Sequence, residues 1–217
     1  MQGPVEGWTT NGGGSLSIFP DSRTDDSSGS LLVTDREGRQ FGPQLQIDPS
    51  CFGNAGTTIR LCAFMKLATN ATGNYQAETC DRDIKGPDSY GDPEVCPILT
   101  FRVTQADGTV NYVYGANFVS DPWVADNWNM FAADIIITED MSNATSIDMY
   151  IERVRENVDI IIDDAEMKEV AWNLDELGNE RDADINEDEF HQVNCTHMVL
   201  NSDFEVRKTS ILSLVKR

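Results

Sequence analysis

The sequence is poor in basic residues, in histidine and in long apolar runs. Of its 217 residues, 16 are Lys or Arg and 37 are Asp or Glu, which gives a formal net charge of −21. Phosphate backbones and anionic headgroups are bound mainly through Lys and Arg, so this charge disfavours nucleic acids and membrane surfaces as partners. No run of about 18 apolar residues occurs, and the sequence therefore predicts no transmembrane helix.

Two kinds of chemical motif are also missing. No pair of cysteines is spaced C-x-x-C, and only His191 and His197 could add imidazole ligands, so the sequence does not predict a zinc site. The G-x-S-x-G motif of a serine nucleophile is absent as well. These absences favour a binding protein over a metalloenzyme or a serine hydrolase.

Five cysteines are present: Cys51, Cys62, Cys80, Cys96 and Cys195. The first four lie close together in the sequence, which favours two disulfides with three possible connectivities. We predict Cys51–Cys62 and Cys80–Cys96, because each bridge would close a short local loop. The alternative is that these cysteines are buried free thiols.

Three N-x-[ST] triplets begin at Asn70, Asn143 and Asn194. Each triplet is a weak motif for glycosylation. Together with the cysteine pattern they favour an extracellular, secreted protein. The opening residues, MQGPVEGWTTNGGG, contain no apolar stretch typical of a signal peptide, so we expect the chain to be a fragment or to come from a gene model that starts late.

Short segments with alternating apolar and polar residues dominate the first 170 residues. Alternation with a period of two, bounded by Gly, Pro, Asn and Asp, is typical of half-buried strands. The segments are 30–34, 44–47, 57–67, 98–104, 110–114, 130–137, 147–151 and 158–167. Because no convincing amphipathic helix accompanies them, we predict an all-β protein, a β-sandwich of the jelly-roll type.

The composition changes after residue 170. Residues 173–190 contain eight acidic residues and one basic residue, with almost no apolar periodicity. Such a segment is typical of a solvated linker, and we expect an irregular acidic C-terminal extension.

Four segments in order resemble one known family. They are Ser30–Arg36 followed by Gly42-Pro43, then Gly56–Lys66, then Trp128–Phe131, then Met149–Glu152 with Asp159–Ala165. This series is similar to the CenC-type carbohydrate-binding modules of families 4, 9 and 22, whose fold is a galactose-binding-like β-sandwich. The resemblance covers residues 6 to 168. Residues 198–205, MVLNSDFE, resemble the opening strand of another such module.

The resemblance implies three segments and a function. Residues 1–170 would be one slightly truncated module, 171–195 an acidic linker, and 196–217 the first strand of a second, incomplete module. The implied function is non-catalytic binding of a β-glucan or xylan, within a secreted multi-modular glycoside hydrolase such as a xylanase. The expected partners are a polysaccharide and further modules of the same parent chain.

Sugar recognition needs an aromatic face for the C–H groups and planar polar groups for the hydroxyls. The resemblance places Arg36, Phe64, Tyr150 and Glu152 at ligand positions, with Tyr112 or Tyr114 as a second aromatic platform. The alternation agrees for one strand, because Ile147, Met149 and Ile151 would face the core and leave Asp148, Tyr150 and Glu152 opposite.

Simpler roles remain open for each of these residues. Tyr150 and Phe64 could be packing residues, and Glu152 with Arg36 could form only a surface ion pair. Asp148 stands where the family often has an aromatic side chain. The resemblance also implies a structural calcium ion held by Glu6 and Asp164, since calcium prefers carboxylate oxygens. The alternative is that Asp163-Asp164 ends a strand at a solvated turn.

Two other functional classes compete with sugar binding. A small jelly-roll glycosidase would need two carboxyl groups about 5 to 10 Å apart across a cleft. An extracellular adhesion or cell-wall spacer would use the same sandwich without any sugar ligand. Because only Glu152 has a reason to face a groove, we favour the binding module.

Overall fold

The protein is built almost entirely from antiparallel strands. A computed structural model describes residues 7–24, 29–52, 54–81 and 96–170. The strands are β1 Trp8–Thr10, β2 Ser15–Phe19, β3 Ser30–Thr34, β4 Pro43–Ile47, β5 Thr58–Thr69, β6 Gln76–Glu78, β7 Ile98–Thr104, β8 Val110–Tyr114, β9 Ala116–Val119, β10 Asn129–Ile136, β11 Ser146–Glu152 and β12 Asp159–Val170. A 3₁₀ turn spans Pro49–Cys51, and the short helix α1 spans Glu139–Ser142.

The strands form two sheets packed face to face. The front sheet has the order β1-β4-β11-β7-β8, and the back sheet has the order β2-β3-β12-β5-β10-β9, with β6 paired to β5. All strand pairs are antiparallel. The predicted all-β sandwich is therefore confirmed.

The core lies between the sheets and is built by alternation along each strand. Met65 of β5 and Phe131 of β10 face Phe101 of β7 and Met149 of β11, and all four are at most 1% exposed. Successive residues in a strand point to opposite faces, so the residues between these apolar ones form the outer surfaces of the two sheets. The same periodicity that forms the core therefore determines which side chains are available to a ligand.

Of the two predicted disulfides, one is confirmed and the other is wrong. Cys80 and Cys96 are bonded, and both pack against the core. Cys51 and Cys62 are not joined to each other. Cys51 is exposed at the end of the 3₁₀ turn, whereas Cys62 is buried in the back sheet between Ala132 of β10 and Glu166 of β12.

Some expectations fall outside the described residues, namely the linker, the strand of a second module, Cys195 and the triplet at Asn194. Asn70 and Asn143 are both exposed at turns, one after β5 and one at the end of α1. Within the described ranges, no helix has the length and apolar character needed to cross a membrane. Glycosylation and secretion stay predictions.

Gly42 marks the point where the chain enters the front sheet. A Cβ atom at this position would lie 1.9 Å from the carbonyl oxygen of Ile151. Ile151 lies in β11, which pairs directly with β4, so the two backbones approach each other here more closely than a side chain permits. Glycine at position 42 is therefore required by packing.

We expect Gly42→Ala to lower the free energy of unfolding by about 2 kcal/mol or more, because the backbone of β4 or β11 must move to relieve the overlap. Urea denaturation of the two proteins measures the difference. Gly73→Ala is the matched control, because a Cβ there meets nothing within 4 Å. Equal stabilities of the two variants would contradict the close approach.

Candidate functional site

The outer surface of the front sheet carries a continuous set of polar and aromatic side chains, which we call the front face. Its nine residues are Gln44 and Gln46 from β4, Asp148, Tyr150 and Glu152 from β11, Thr100 and Arg102 from β7, and Tyr112 and Tyr114 from β8. Each of them alternates with residues that face the core or pack against it, such as Leu45, Met149, Phe101 and Val113.

Strand register arranges eight of these residues, all except Glu152, in two rows that cross the sheet. One row is Gln44, Tyr150, Thr100 and Tyr114, and the other is Gln46, Asp148, Arg102 and Tyr112. Neighbours in a row are on adjacent strands, about 4.8 Å apart. The front face therefore offers a ligand two parallel lines of hydrogen-bonding groups, each ending in a tyrosine at the β8 edge.

Exposure rises from the centre of the front face to its β8 edge. Tyr150 and Glu152 are each 5% exposed and Asp148 is 8% exposed, whereas Tyr112 and Tyr114 are 53% and 56% exposed. Burial raises the pKa of Tyr150, and the nearby Glu152 carboxylate acts in the same direction. The Tyr150 phenol is consequently neutral at physiological pH and keeps its O–H donor.

Glu152 is a buried carboxylate on this face. The hydroxyl of Thr100 donates a hydrogen bond of 2.7 Å to its Oε1 atom. Burial raises the pKa of Glu152, while this hydrogen bond and the charge of Arg153 act against the rise. Keeping this side chain ionised therefore costs folding free energy, which is typical of a group retained for function.

Asp148 is held from both neighbouring strands. Arg102 donates from Nη2 at 2.8 Å and from Nε at 3.2 Å to Oδ2 of Asp148, and Gln44 donates from Nε2 at 3.2 Å to Oδ1. Both oxygens of the carboxylate accept hydrogen bonds from the protein. The orientation of Asp148 is therefore set before any ligand arrives.

The structure corrects the expected role of Arg36. Its guanidinium is buried and donates to the backbone carbonyl oxygens of Phe41, Val154, Arg155 and Val158. Burial lowers the pKa of Arg36 to about 10. These carbonyls belong to the segment between β3 and β4 and to the segment between β11 and β12. Because its donors are engaged there, Arg36 belongs to the framework of the sandwich and does not lie on the front face.

The structure also separates Phe64 from the other expected ligand residues. Phe64 points outward from β5, which belongs to the back sheet, so it lies on the opposite side of the sandwich from Tyr150. The guanidinium carbon of Arg23 lies 3.7 Å from the centre of its ring. A short ligand on the front face cannot reach Phe64, and Arg23 covers one side of the ring.

The structure describes one of the two residues expected to hold a calcium ion, Asp164. Asp164 Oδ2 accepts from Arg23 Nη1 at 2.5 Å, so a cationic side chain already neutralises this carboxylate. Among the described ranges, no group of three or more His, Cys, Asp or Glu side chains is placed to hold a metal ion. Glu6 lies outside those ranges, and the calcium site stays a prediction.

Sequence reasoning missed four front-face residues, Gln44, Gln46, Thr100 and Arg102. The signal for them was present, because Leu99, Phe101 and Val103 alternate cleanly and leave Thr100 and Arg102 on the opposite side. The missing information was that β4, β7 and β11 are neighbours in one sheet.

No protein-family model matches the sequence, and no curated protein does. Three solved structures are similar in fold. The CBM22-1 xylan-binding domain of Paenibacillus barcinonensis Xyn10C has 15% identity and a TM-score of 0.51, with coverage of 78% of this chain and 89% of that domain. The CBM22-2 xylan-binding domain of the same protein has 16% identity and a TM-score of 0.50, covering 77% and 94%.

The third is the CBM22-1–GH10 portion of Clostridium thermocellum xylanase 10B complexed with xylohexaose, with 15% identity and a TM-score of 0.51. The match covers 77% of this chain and 27% of that one. At such low identity the similarity shows a shared fold, the β-sandwich of carbohydrate-binding modules.

We expect Arg36→Lys to lower the free energy of unfolding by about 3 kcal/mol or more, because a single ammonium group cannot replace a buried planar guanidinium that donates to four backbone carbonyls. Chemical denaturation measures the loss. Arg102→Lys is the control, since the Arg102 side chain is 37% exposed and its described hydrogen bonds go to one carboxylate. A loss no larger than that of the control would contradict the framework role of Arg36.

We expect Glu152→Gln to increase stability at pH 8, and the gain to shrink as the pH falls. The pKa of Glu152 is raised in the folded state above its ordinary value of 4.5. The ionised form therefore destabilises the fold above the folded-state pKa, and protonation removes this penalty as the pH falls through that value.

Urea denaturation at pH 8, 6 and 5 follows the difference between the two proteins. Glu139→Gln, an exposed position on α1, is the matched control for net charge. The same pH trend in both variants would show that burial of Glu152 is not the cause.

Proposed function

We propose that the front face binds a polysaccharide of the β-glucan or xylan type and that this module performs no catalysis. The observation that carries the proposal is the arrangement of three tyrosines with planar polar groups on one sheet. Tyr112 and Tyr114 expose their rings at the β8 edge, and Tyr150 lies in the centre between Gln44 and Thr100.

This arrangement suits the chemistry of a sugar chain. The C–H face of a pyranose ring packs on an aromatic ring, and the hydroxyl groups need side chains that both donate and accept hydrogen bonds. Glutamine amides and tyrosine hydroxyls do both, and the carboxylates of Asp148 and Glu152 accept. The front face supplies both kinds of contact without requiring charge in the ligand.

The fold relatives support the choice of polysaccharide. Two are named as xylan-binding domains and a third was determined with xylohexaose. That third structure joins its module to a GH10 module. By analogy, we propose that the parent protein is a secreted glycoside hydrolase that uses this module to hold its substrate.

The placement of the front-face carboxylates favours binding over catalysis. Glycosidases place their two carboxyl groups on either side of the scissile bond, about 5 to 9.5 Å apart. Asp148 and Glu152 instead lie on one strand, β11, and do not face each other across a cleft. Asp148 is in addition engaged by Arg102 and Gln44, so its oxygens are committed to holding the side chain in place.

We expect Tyr114→Ala and Tyr112→Ala each to weaken binding of xylohexaose by about tenfold, because each removes an exposed aromatic platform. Tyr150→Phe tests the central hydroxyl alone. Calorimetric titration gives the affinities, and retardation in gels cast with xylan or mixed-linkage glucan tests the polymers. Phe118→Ala, a partly exposed aromatic on the edge strand β9 of the back sheet, is the matched control.

Two results would overturn the proposal. Absence of binding to every polysaccharide would favour an adhesion or spacer module with no sugar ligand. Release of reducing sugar by the purified chain would show that the module is itself an enzyme. Equal losses in the Phe118 control and the tyrosine variants would place the binding surface elsewhere.

A further inference from the structure

We propose that Asp148 is a specificity-determining residue: by neutralising Arg102, it makes the front face select glycans without acidic substituents over glycans that carry uronic acids. This inference rests on the proposed function and adds the class of polysaccharide. Three observations support it, namely the geometry of the Asp148–Arg102 pair, the balance of charge on the front face, and the exposure of the pair.

The geometry shows which part of Arg102 is occupied. The Nε and Nη2 atoms of Arg102 both donate to Oδ2 of Asp148, at 3.2 and 2.8 Å. This side edge of a guanidinium offers two parallel donors that match a carboxylate. Because Asp148 occupies that edge, a uronic acid carboxylate cannot form the same paired contact.

The balance of charge on the front face also disfavours binding of a uronic acid. Of the nine front-face residues, Arg102 is basic whereas Asp148 and Glu152 are acidic. The pair of Arg102 and Asp148 is neutral as a unit, so no basic side chain of the front face is left unpaired to attract an acidic ligand. The whole chain carries a formal charge of −21, which adds repulsion toward any acidic glycan at low salt.

The exposure of the pair shows that it is accessible to a ligand. The Arg102 side chain is 37% exposed and the Asp148 side chain 12% exposed. Arg102 lies between Asp148 and the exposed Tyr112 in its row, next to a ring on which a sugar can stack. A substituent on a sugar at Tyr112 would therefore approach Arg102, and Asp148 determines whether it meets a free cation or a neutral pair.

The test compares two probes on the full chain: unsubstituted xylohexaose, and a xylo-oligosaccharide of similar length that carries one glucuronic acid. We expect the unmodified protein to bind the acidic probe more weakly, with the difference reduced by added salt because screening weakens the repulsion. Asp148→Asn keeps the shape and one acceptor but removes the charge. It should raise affinity for the acidic probe about two- to fivefold, the range of one partly exposed ion pair.

Further variants separate the causes. Adding Arg102→Gln to Asp148→Asn should abolish the gain, and Arg102→Gln alone should increase discrimination against the acidic probe. Glu139→Gln removes one charge from α1, which contributes no residue to the front face, and should leave the ratio of the two affinities unchanged. Thermal unfolding of each variant establishes that it is folded. If Asp148→Asn does not fold, the affinities of Arg102→Gln for the two probes test the same inference.

The outcomes distinguish this inference from the proposed function. Binding of both probes with equal affinity, unchanged by Asp148→Asn, would overturn the role of Asp148 and leave sugar binding in place. An equal gain in Glu139→Gln would assign the selectivity to net charge and would also overturn it. Failure of the unmodified protein to bind either probe would overturn the proposed function, and the inference with it.

Discussion

The buried guanidinium of Arg36 is the contact on which the arrangement of the two sheets depends most. Arg36 follows β3 of the back sheet, and Phe41, whose carbonyl it binds, precedes β4 of the front sheet. Its other acceptors, Val154, Arg155 and Val158, lie in the connection from β11 of the front sheet to β12 of the back sheet. One side chain therefore links two places where the chain crosses between sheets.

These two crossovers determine the centre of the front face. They deliver β4 and β11 side by side, and Gly42 lets the two backbones approach closely at that end. The register that follows places Gln44 beside Tyr150 and Gln46 beside Asp148. A buried cation without hydrogen bonds would cost several kcal/mol, so the four carbonyls and Arg36 stabilise each other only when both crossovers are formed. Arg36 thus influences the candidate site without touching a ligand.

The sequence predicted the long strands well because alternation is a local property. Every segment expected from period-two patterning is a strand, whereas β1, β2, β6 and β9 were not predicted. β1, β6 and β9 have only three or four residues, too few to show a period of two, while β2 does alternate over five residues and was missed. The helix α1 has only four residues, and its capping by Thr138 is a single hydrogen bond. Short elements at sheet edges depend on contacts distant in sequence, which a local pattern does not contain.

The candidate site was harder to predict for a related reason. Alternation states which residues of a strand face outward, but the sheet to which the strand belongs depends on long-range pairing. Phe64 and Tyr150 both face outward, yet β5 and β11 lie in different sheets, so the two aromatic side chains are on opposite sides of the sandwich. The error with Cys51 and Cys62 has the same origin, since closeness in sequence said nothing about the burial of Cys62 in the back sheet.

Two buried carboxylates on opposite sides of the sandwich show where stability and function compete. On the back sheet, Asp134 accepts two hydrogen bonds from Arg60, at 2.6 and 2.7 Å, so each charge compensates the other. On the front face, the hydrogen bond to Glu152 comes from the neutral hydroxyl of Thr100, and burial still raises its pKa. The charge of Arg153 also opposes that rise. Burial raises the pKa of Asp163 on the back sheet as well, although two backbone N–H groups donate to its carboxylate. Raised carboxyl pKa values therefore occur in both sheets, and what distinguishes the front face is that Glu152 shares it with the exposed rings of Tyr112 and Tyr114.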